Sequence, residues 1–324
     1  MERRTDGSGH SHAKIILIGE HSVVYGQPAI ALPLTTIQAE ARLSFRKDHQ
    51  QLLRSSYFDG PLEDLPSQMA GLGHLIKTIL QQEHQEQVGF TLTIESHLPA
   101  ERGMGSSAAV AIAIIRCLYD AFHLNLTHSQ TLRLADISET DTHKNPSGLD
   151  AATAASDNPI WLIRGHEPSP LPINMDAYLL ICDSGIKGQT SKAIQLVKSH
   201  LAQSPVATQK HLSGLGQLTL QVREQLAQND VVGLGQSLNQ AQQHLKAIGV
   251  STPGLDHLIQ LAVQNGALGS KLTGGGCGGC FINLAPNRTV AEKLATILQE
   301  HGITNYWIQP LSPNAGGAAC KIRQ

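Results

Sequence analysis

The chain has 324 residues, with 24 Lys and Arg against 26 Asp and Glu and a formal charge of −2, and at roughly 150 residues per domain this length predicts about two domains. Hydrophobic residues make up 41% and aromatics only 4%, so the core must be built mainly from Ala, Leu, Ile and Val. Nucleic-acid and anionic-membrane surfaces need clustered Lys and Arg; no basic run here is longer than the pair Arg3-Arg4, so neither is an expected partner. Five cysteines lack the spacing of a disulfide framework. No apolar run reaches the roughly 18 residues of a membrane span, and the N-terminus lacks the apolar core of a signal peptide. A reduced, cytoplasmic protein is expected.

In chain order, Lys14–Ile18 reads as a short buried strand that stops at Gly19. Gln38–Phe45 alternates and Phe90–Ile94 is rich in Thr, Phe and Ile, so both read as strands, with helical spacing over Leu72–His84 between them. Ser107–Phe122 is apolar nearly all round, the mark of a buried helix. Thr131–Thr140 and Leu149–Ala155 are short helices separated by the breaker Asn145-Pro146-Ser147-Gly148. Prolines 168, 170 and 172 suggest a boundary between domains 1–172 and 173–324. Beyond it lie a strand (Ala177–Cys182), a helical hairpin (Val206–Ile248, turning near Asn229-Asp230) and a helix (Gly254–Asn265). A glycine loop, a strand (Cys280–Leu284), a helix (Val290–His301) and a strand (Thr304–Ile308) follow, and Leu311–Gln324 reads as a frayed tail.

The segment Pro99-Ala100-Glu101-Arg102-Gly103-Met104-Gly105-Ser106-Ser107-Ala108 lies between a strand and the buried helix. Its glycines let backbone approach a ligand closely, and the first helical N–H groups carry partial positive charge, which suits a di- or triphosphate. No Gly-Lys-Ser/Thr ending follows, so it is not a Walker A loop. Gly103-x-Gly105-x-x-Ala108 fits the loose dinucleotide pattern, but no acidic residue ends a second strand about 20 residues on. A tight turn capped by serines is the plain alternative.

This segment resembles the phosphate loop of the GHMP kinases, and two further segments stand in the expected order. Ala13-Lys14-Ile15-Ile16-Leu17-Ile18-Gly19-Glu20-His21 resembles the opening strand and turn, and Lys271-Leu272-Thr273-Gly274-Gly275-Gly276-Cys277-Gly278-Gly279-Cys280 the C-terminal glycine motif. Asn145-Pro146-Ser147-Gly148-Leu149-Asp150, with Glu139 eleven residues before the Asp, is similar to the mevalonate kinases, most of all the bacterial type. The resemblance runs from about Gly9 to Ile308. It implies an α+β GHMP kinase fold, with an N-terminal domain like ribosomal protein S5 domain 2 and a C-terminal ferredoxin-like domain. It also implies ATP as co-substrate, Mg²⁺ as cofactor, and mevalonate as the phosphate acceptor.

The same resemblance distributes roles. Pro99, Gly103, Met104, Gly105, Ser106, Ser107 and Ala108 would bind the nucleotide phosphates. Lys14 would sit beside the substrate hydroxyl and γ-phosphate, where a lone strand-end Lys would otherwise simply snorkel. Asp150 would orient the C5 hydroxyl and take its proton late; any acid in that first helical turn also complements the helix dipole. Glu139 would bind Mg²⁺ with a loop serine, Ser107 being preferred over Ser106, and Asp141 is a rival carboxylate. Mevalonate's carboxylate needs a cation or donor, for which His21 and Arg164 are candidates beside Glu20. Thr190, Thr273 and Gly274 complete the expected substrate contacts.

Cys277-x-x-Cys280 could be redox-active or half a zinc site, but without a second pair it reads as packing. Competing activities are phosphomevalonate or homoserine kinase, and a non-catalytic GHMP-fold sensor is the rival of a different class. A homodimer is compatible with the resemblance, since oligomeric state varies among mevalonate kinases.

Overall fold

A computed structural model describes residues 5–99, 101–142 and 147–312. Ala100 of the glycine loop, Asn145 and Pro146 of the breaker, and the tail beyond Ser312 lie outside the described residues. In chain order the elements are β1 (Gly7–Ile18), β2 (Pro28–Phe45), β3 (Gln51–Arg54), β4 (Asp59–Pro61), α1 (Ala70–Gln82), β5 (Phe90–Ser96), α2 (Ser106–Ala121), α3 (His128–Thr142), α4 (Leu149–Ala154) and β6 (Ile160–Ile163). They continue as β7 (Ser169–Pro170), β8 (Tyr178–Asp183), α5 (Thr190–Gln203), α6 (Pro205–Gln228), α7 (Val231–Ala247), α8 (Pro253–Gln264), β9 (Gly269–Leu272), β10 (Cys280–Ala285), α9 (Arg288–Glu300) and β11 (Tyr306–Pro310). They form two compact units interleaved in sequence. One comprises the described residues within 1–14, 33–99 and 105–157; the other those within 15–32, 100–104 and 158–324.

In the first unit β2 pairs antiparallel with β5 from Ala39–Ser96 to Phe45–Phe90. Strand β3 runs parallel to β5, with Gln51 opposite Phe90, and β4 closes that edge antiparallel to β3. Helix α2 explains its all-round apolar sequence: Ile112, Ile114, Ile115 and Leu118 are fully buried, each worth roughly 1.5–3 kcal/mol. It packs against α1, α3, α4 and β5. Its other neighbour is β1, which comes so close that a Cβ on Gly9 would sit 2.2 Å from the Ala113 carbonyl oxygen. Only glycine permits that backbone-on-helix approach.

In the second unit the four-stranded sheet has the order β11-β8-β10-β9. Neighbours are antiparallel, with Cys280 opposite Asp183, Lys271 opposite Ile282 and Tyr306 opposite Cys182. A hairpin-linked pair, β9 and β10, flanked in sequence by two helical crossovers, in spatial order four-one-three-two, makes the split βαβ of a ferredoxin-like domain. Helices α5 to α8 fill the first crossover and α9 the second. The expected hairpin turns at Asn229, whose φ is 56°, and Asp230 caps α7 by accepting from the Gly233 amide. Residues Pro28–Ala31 of β2 pair with β6, which pairs with β7.

Candidate active site

Lys14 is 2% exposed, and an ammonium so deep is tolerable only with a partner. It has one in Asp150, whose Oδ1 lies 3.0 Å from Nζ. The stem of Lys14 runs beneath Gly105, the residue that starts α2 with φ 72°; a Cβ there would lie 2.8 Å from Lys14 Cε and 2.9 Å from Cγ. Gly105 therefore lies directly over the lysine, and it is required both for its left-handed backbone and for its missing side chain. Ser106 is half-buried and Ser107 exposed in the first turn of α2, ahead of buried Ala108. Pro99 precedes the loop.

Asp150 sits in the first turn of α4, with 39% of its side chain accessible. This helix has only six residues, too few to hold itself in place. Its far end is fastened by side chains: Ser11 Oγ donates to the Ala154 carbonyl at 2.8 Å, and Arg116 Nη2 donates to that of Ala155 at 3.0 Å. Arg116 Nη1 also donates to the His10 carbonyl at 2.7 Å, tying helix end and β1 through one guanidinium. Glu139, on α3, is 6% exposed. Burial pushes its carboxyl up to about 8 and the Asp150 charge pushes the same way, while Lys14 and the Ala151 amide pull against them. Two carboxylates around one ammonium leave a demand for positive charge. The rival Asp141 is engaged elsewhere, bonding His74 Nδ1 at 2.8 Å.

In the second unit, the loop residues Glu101–Gly103 are fastened to the β8–α5 connection and the C-terminal glycine loop. The Gly188 amide donates to the Glu101 carbonyl at 2.7 Å and the Cys280 amide to that of Arg102 at 3.1 Å. Arg102 Nε lies 2.8 Å from the buried Asp183 Oδ1, and Met104 is buried to 1% exposure. A Cβ on Gly274 (φ 79°) would meet the Gly103 backbone at 2.9 Å. Thr190 begins α5 with its hydroxyl close to Gly275.

Several expected ligand groups prove to be committed. Thr273 Oγ1 donates to the Ile16 carbonyl at 2.8 Å and accepts from the Ile16 amide at 3.0 Å, so it braces the β1 backbone instead of offering a free hydroxyl. His21 Nε2 lies 3.0 Å from the Gly275 carbonyl oxygen, which can only accept, so Nε2 carries the proton. Although part of the residue stays accessible, burial of the ring holds its pKa down to about 4. His21 is thus neutral, with Nδ1 as an acceptor, and as it stands offers no donor to a carboxylate. Arg164 is exposed and donates through Nη1 to the Val24 carbonyl at 3.0 Å, holding the Ser22–Tyr25 turn. Glu20 is fully buried and pairs with Lys271, also fully buried. Among the described residues no group of three or more His, Cys, Asp or Glu could hold a metal, and Cys277 and Cys280 are both buried with free thiols.

Comparison with known proteins joins these clusters to one lineage. The GHMP kinases N terminal domain matches residues 73–158 and the GHMP kinases C terminal domain residues 222–304. A mevalonate kinase of Thermococcus sibiricus is 32% identical over 310 residues, spanning 90% of this chain and 92% of that relative. The chain belongs to the mevalonate kinase family of the GHMP kinases. A second mevalonate kinase, from Pyrococcus horikoshii, is 31% identical over 316 residues, covering 90% of this chain and 91% of its own. The crystal structure of L. major mevalonate kinase in complex with R-mevalonate superposes with a TM-score of 0.82 at 26% identity, covering 96% of this chain and 98% of that one. For the mevalonate kinase from methicillin-resistant Staphylococcus aureus the TM-score is 0.73 at 28% identity, over 95% and 99% of the two chains. Relatives from archaea and a bacterium thus stand at similar identity, and the α+β fold expected from the sequence is the fold of this family.

The family motifs drew attention to residues within short segments, and missed those that serve them from elsewhere: Ser11 and Arg116 behind α4, Asp183 behind Arg102, and Lys271 behind Glu20. Lys271 stood in a quoted motif without a role; its signal in the sequence was a lysine between Ser270 and Leu272, and the strand that holds it has no exposed position.

Proposed function

We propose that the chain transfers the γ-phosphoryl group of ATP to the C5 hydroxyl of (R)-mevalonate, giving 5-phosphomevalonate and ADP. The observation that carries the reading is the Lys14–Asp150 pair, a buried ammonium 3.0 Å from a carboxylate that solvent can reach, set beneath Gly105 at the start of α2. Asp150 accepts a hydrogen bond from the hydroxyl and aligns it for in-line attack. As the C5 oxygen bonds to phosphorus and the bond from phosphorus to the β-bridging oxygen breaks, ADP leaves with that electron pair and Asp150 takes the hydroxyl proton. A carboxylate is too weak a base to remove an alcohol proton beforehand, so proton transfer is late, as a loose transition state permits. Lys14 keeps Asp150 oriented and offsets charge gathering on the transferred phosphoryl group.

The donors in the first unit suit Mg²⁺, which binds through one or two carboxylates and keeps several waters: Glu139 is a hard oxygen ligand whose proton a cation would displace, and Ser107 or Ser106 adds a hydroxyl. Mg²⁺ there would neutralise the β- and γ-phosphate oxygens. The α2 amides with Gly103, Met104, Gly105 and Ala108 hold the phosphates, Pro99 setting the loop's approach. Arg164, Thr190, Gly274 and the His21 turn are assigned to mevalonate. We also place residues 1–172 and 173–324 as the two family domains, in a cytoplasmic enzyme that can pair as a homodimer. Among the described residues no helix is long and apolar enough to cross a membrane.

The test is ADP release with Mg²⁺-ATP across mevalonate, phosphomevalonate, homoserine and galactose. ADP formation dependent on mevalonate alone is expected. Release with a different alcohol would reassign the substrate, and none with any would leave the sensor reading.

A further inference from the structure

Lys271 and Glu20 are both 0% exposed and joined as an ion pair. Burying two charges is costly before their attraction is counted, and apolar residues of similar size are often as stable. Stability alone therefore does not account for the pair, and its surroundings suggest what does. Glu20 lies in the tight turn that ends β1. There the Ser22 amide donates to the Glu20 carbonyl at 2.6 Å, and Ser22 Oγ donates to that of Gly19 at 3.2 Å. The next residue, His21, has φ 60° and ψ −43°, close to the centre of a γ-turn of positive φ, a rare and strained conformation for a non-glycine residue. Something must hold it there.

Two contacts reach this turn from the β9 end of the sheet. Lys271 is fixed opposite Ile282 in β10, and its Nζ donates both to the Leu272 carbonyl at 2.6 Å and to Glu20. Four residues on, the Gly275 carbonyl accepts from His21 Nε2. Between them Thr273 ties the same glycine loop to Ile16. The sheet thus holds the turn at two points, Glu20 and His21, and the strand leading into it at a third, Ile16, and the middle of the turn is its strained residue.

We infer that Lys271 is a positioning residue for substrate: through Glu20 it holds the His21 turn so that Nε2 stays on the Gly275 carbonyl and Nδ1 remains the acceptor. Glu20 on this account is the anchor of the turn and not itself a mevalonate ligand. The inference rests on the proposed reading of the site as a mevalonate kinase, but the positioning itself can be read without substrate.

Three variants test it: Lys271→Met, Lys271→Arg and the double variant Lys271→Met/Glu20→Gln. Their His21 imidazole ¹H–¹⁵N signals in the free protein, assigned by their loss in His21→Asn, report the tautomer. Kinetics with mevalonate and ATP report the consequence. Wild type should show one Nε2–H tautomer, and Lys271→Met a mixture, with the KM for mevalonate raised about tenfold and that for ATP within about twofold. Lys271→Arg, which keeps the charge, should recover part of both. The double variant removes the unpaired buried charge, so it should recover thermal stability while tautomer mixing and raised KM persist. Recovery of all three in the double variant would reduce the pair to a folding role and overturn the inference, as would an unchanged tautomer in Lys271→Met. If wild type shows the single tautomer but no mevalonate-dependent turnover, the functional reading fails and the positioning stands.

Discussion

Gly105→Ala separates backbone strain from damage to the site. At φ 72° an alanine pays the left-handed penalty, about 1–2 kcal/mol, equivalent to a fall in Tm of roughly 1.5–3 °C for a chain of this length. Its Cβ would also lie 2.8 Å from Lys14 Cε and 2.9 Å from Cγ, closer than carbon atoms pack. Lys14 must move, and its 3.0 Å contact with Asp150 is the part that gives way. A displacement costing the transition state ~1.4–2.8 kcal/mol lowers kcat about 10- to 100-fold. Gly302→Ala is the matched control, since φ is 95° there and no atom lies within 4 Å of the added Cβ. Differential scanning calorimetry should show a Tm loss in both variants, the larger in Gly105→Ala, whereas steady-state ADP release should show the kcat loss in Gly105→Ala alone. If Gly105→Ala keeps kcat within about twofold of wild type at its lowered Tm, Lys14 does not depend on that glycine and the reasoning fails.

Glu139 makes a pH prediction. With its carboxyl raised from 4.5 to about 8, the folded protein holds a proton that the unfolded chain has shed, so this group's contribution to stability falls as pH rises from 4.5 through about 8. Without Mg²⁺, Glu139→Gln should therefore melt higher than wild type at pH 8 and lose that advantage near pH 5; parallel melting curves across the range would refute the shift. Asp141→Asn should leave kcat and the Mg²⁺ requirement unchanged, because Asp141 is exposed and bonded to His74; a raised Mg²⁺ requirement would restore it as the metal carboxylate.

The long elements were legible because their signals are local. Helix α2 announced itself by an unbroken apolar surface, and the glycine loop by a phosphate-binding pattern followed by a helix. Strands β3, β4 and β7 have four, three and two residues, too few for a period of two to declare itself. Lys14, Glu139 and Asp150 could be found by motif, and the structure brings Lys14 and Asp150 together. Supporting residues could not, since Ser11 reaches the Ala154 carbonyl behind Asp150 across 143 residues and, in the second unit, Lys271 reaches Glu20 across 251. Thr273 and His21 show a subtler limit: residue type signals a capacity for hydrogen bonding, but only coordinates show that the backbone has already claimed it.

The most direct measurement is ³¹P nuclear magnetic resonance of the product formed from ATP and (R)-mevalonate, by wild type and by folded Asp150→Asn. The account predicts a phosphomonoester coupled to the C5 protons, formed about 10²- to 10⁴-fold more slowly by the variant, the range for loss of a general base. Phosphate on another oxygen, no phosphomonoester at all, or an Asp150→Asn rate close to wild type would contradict it.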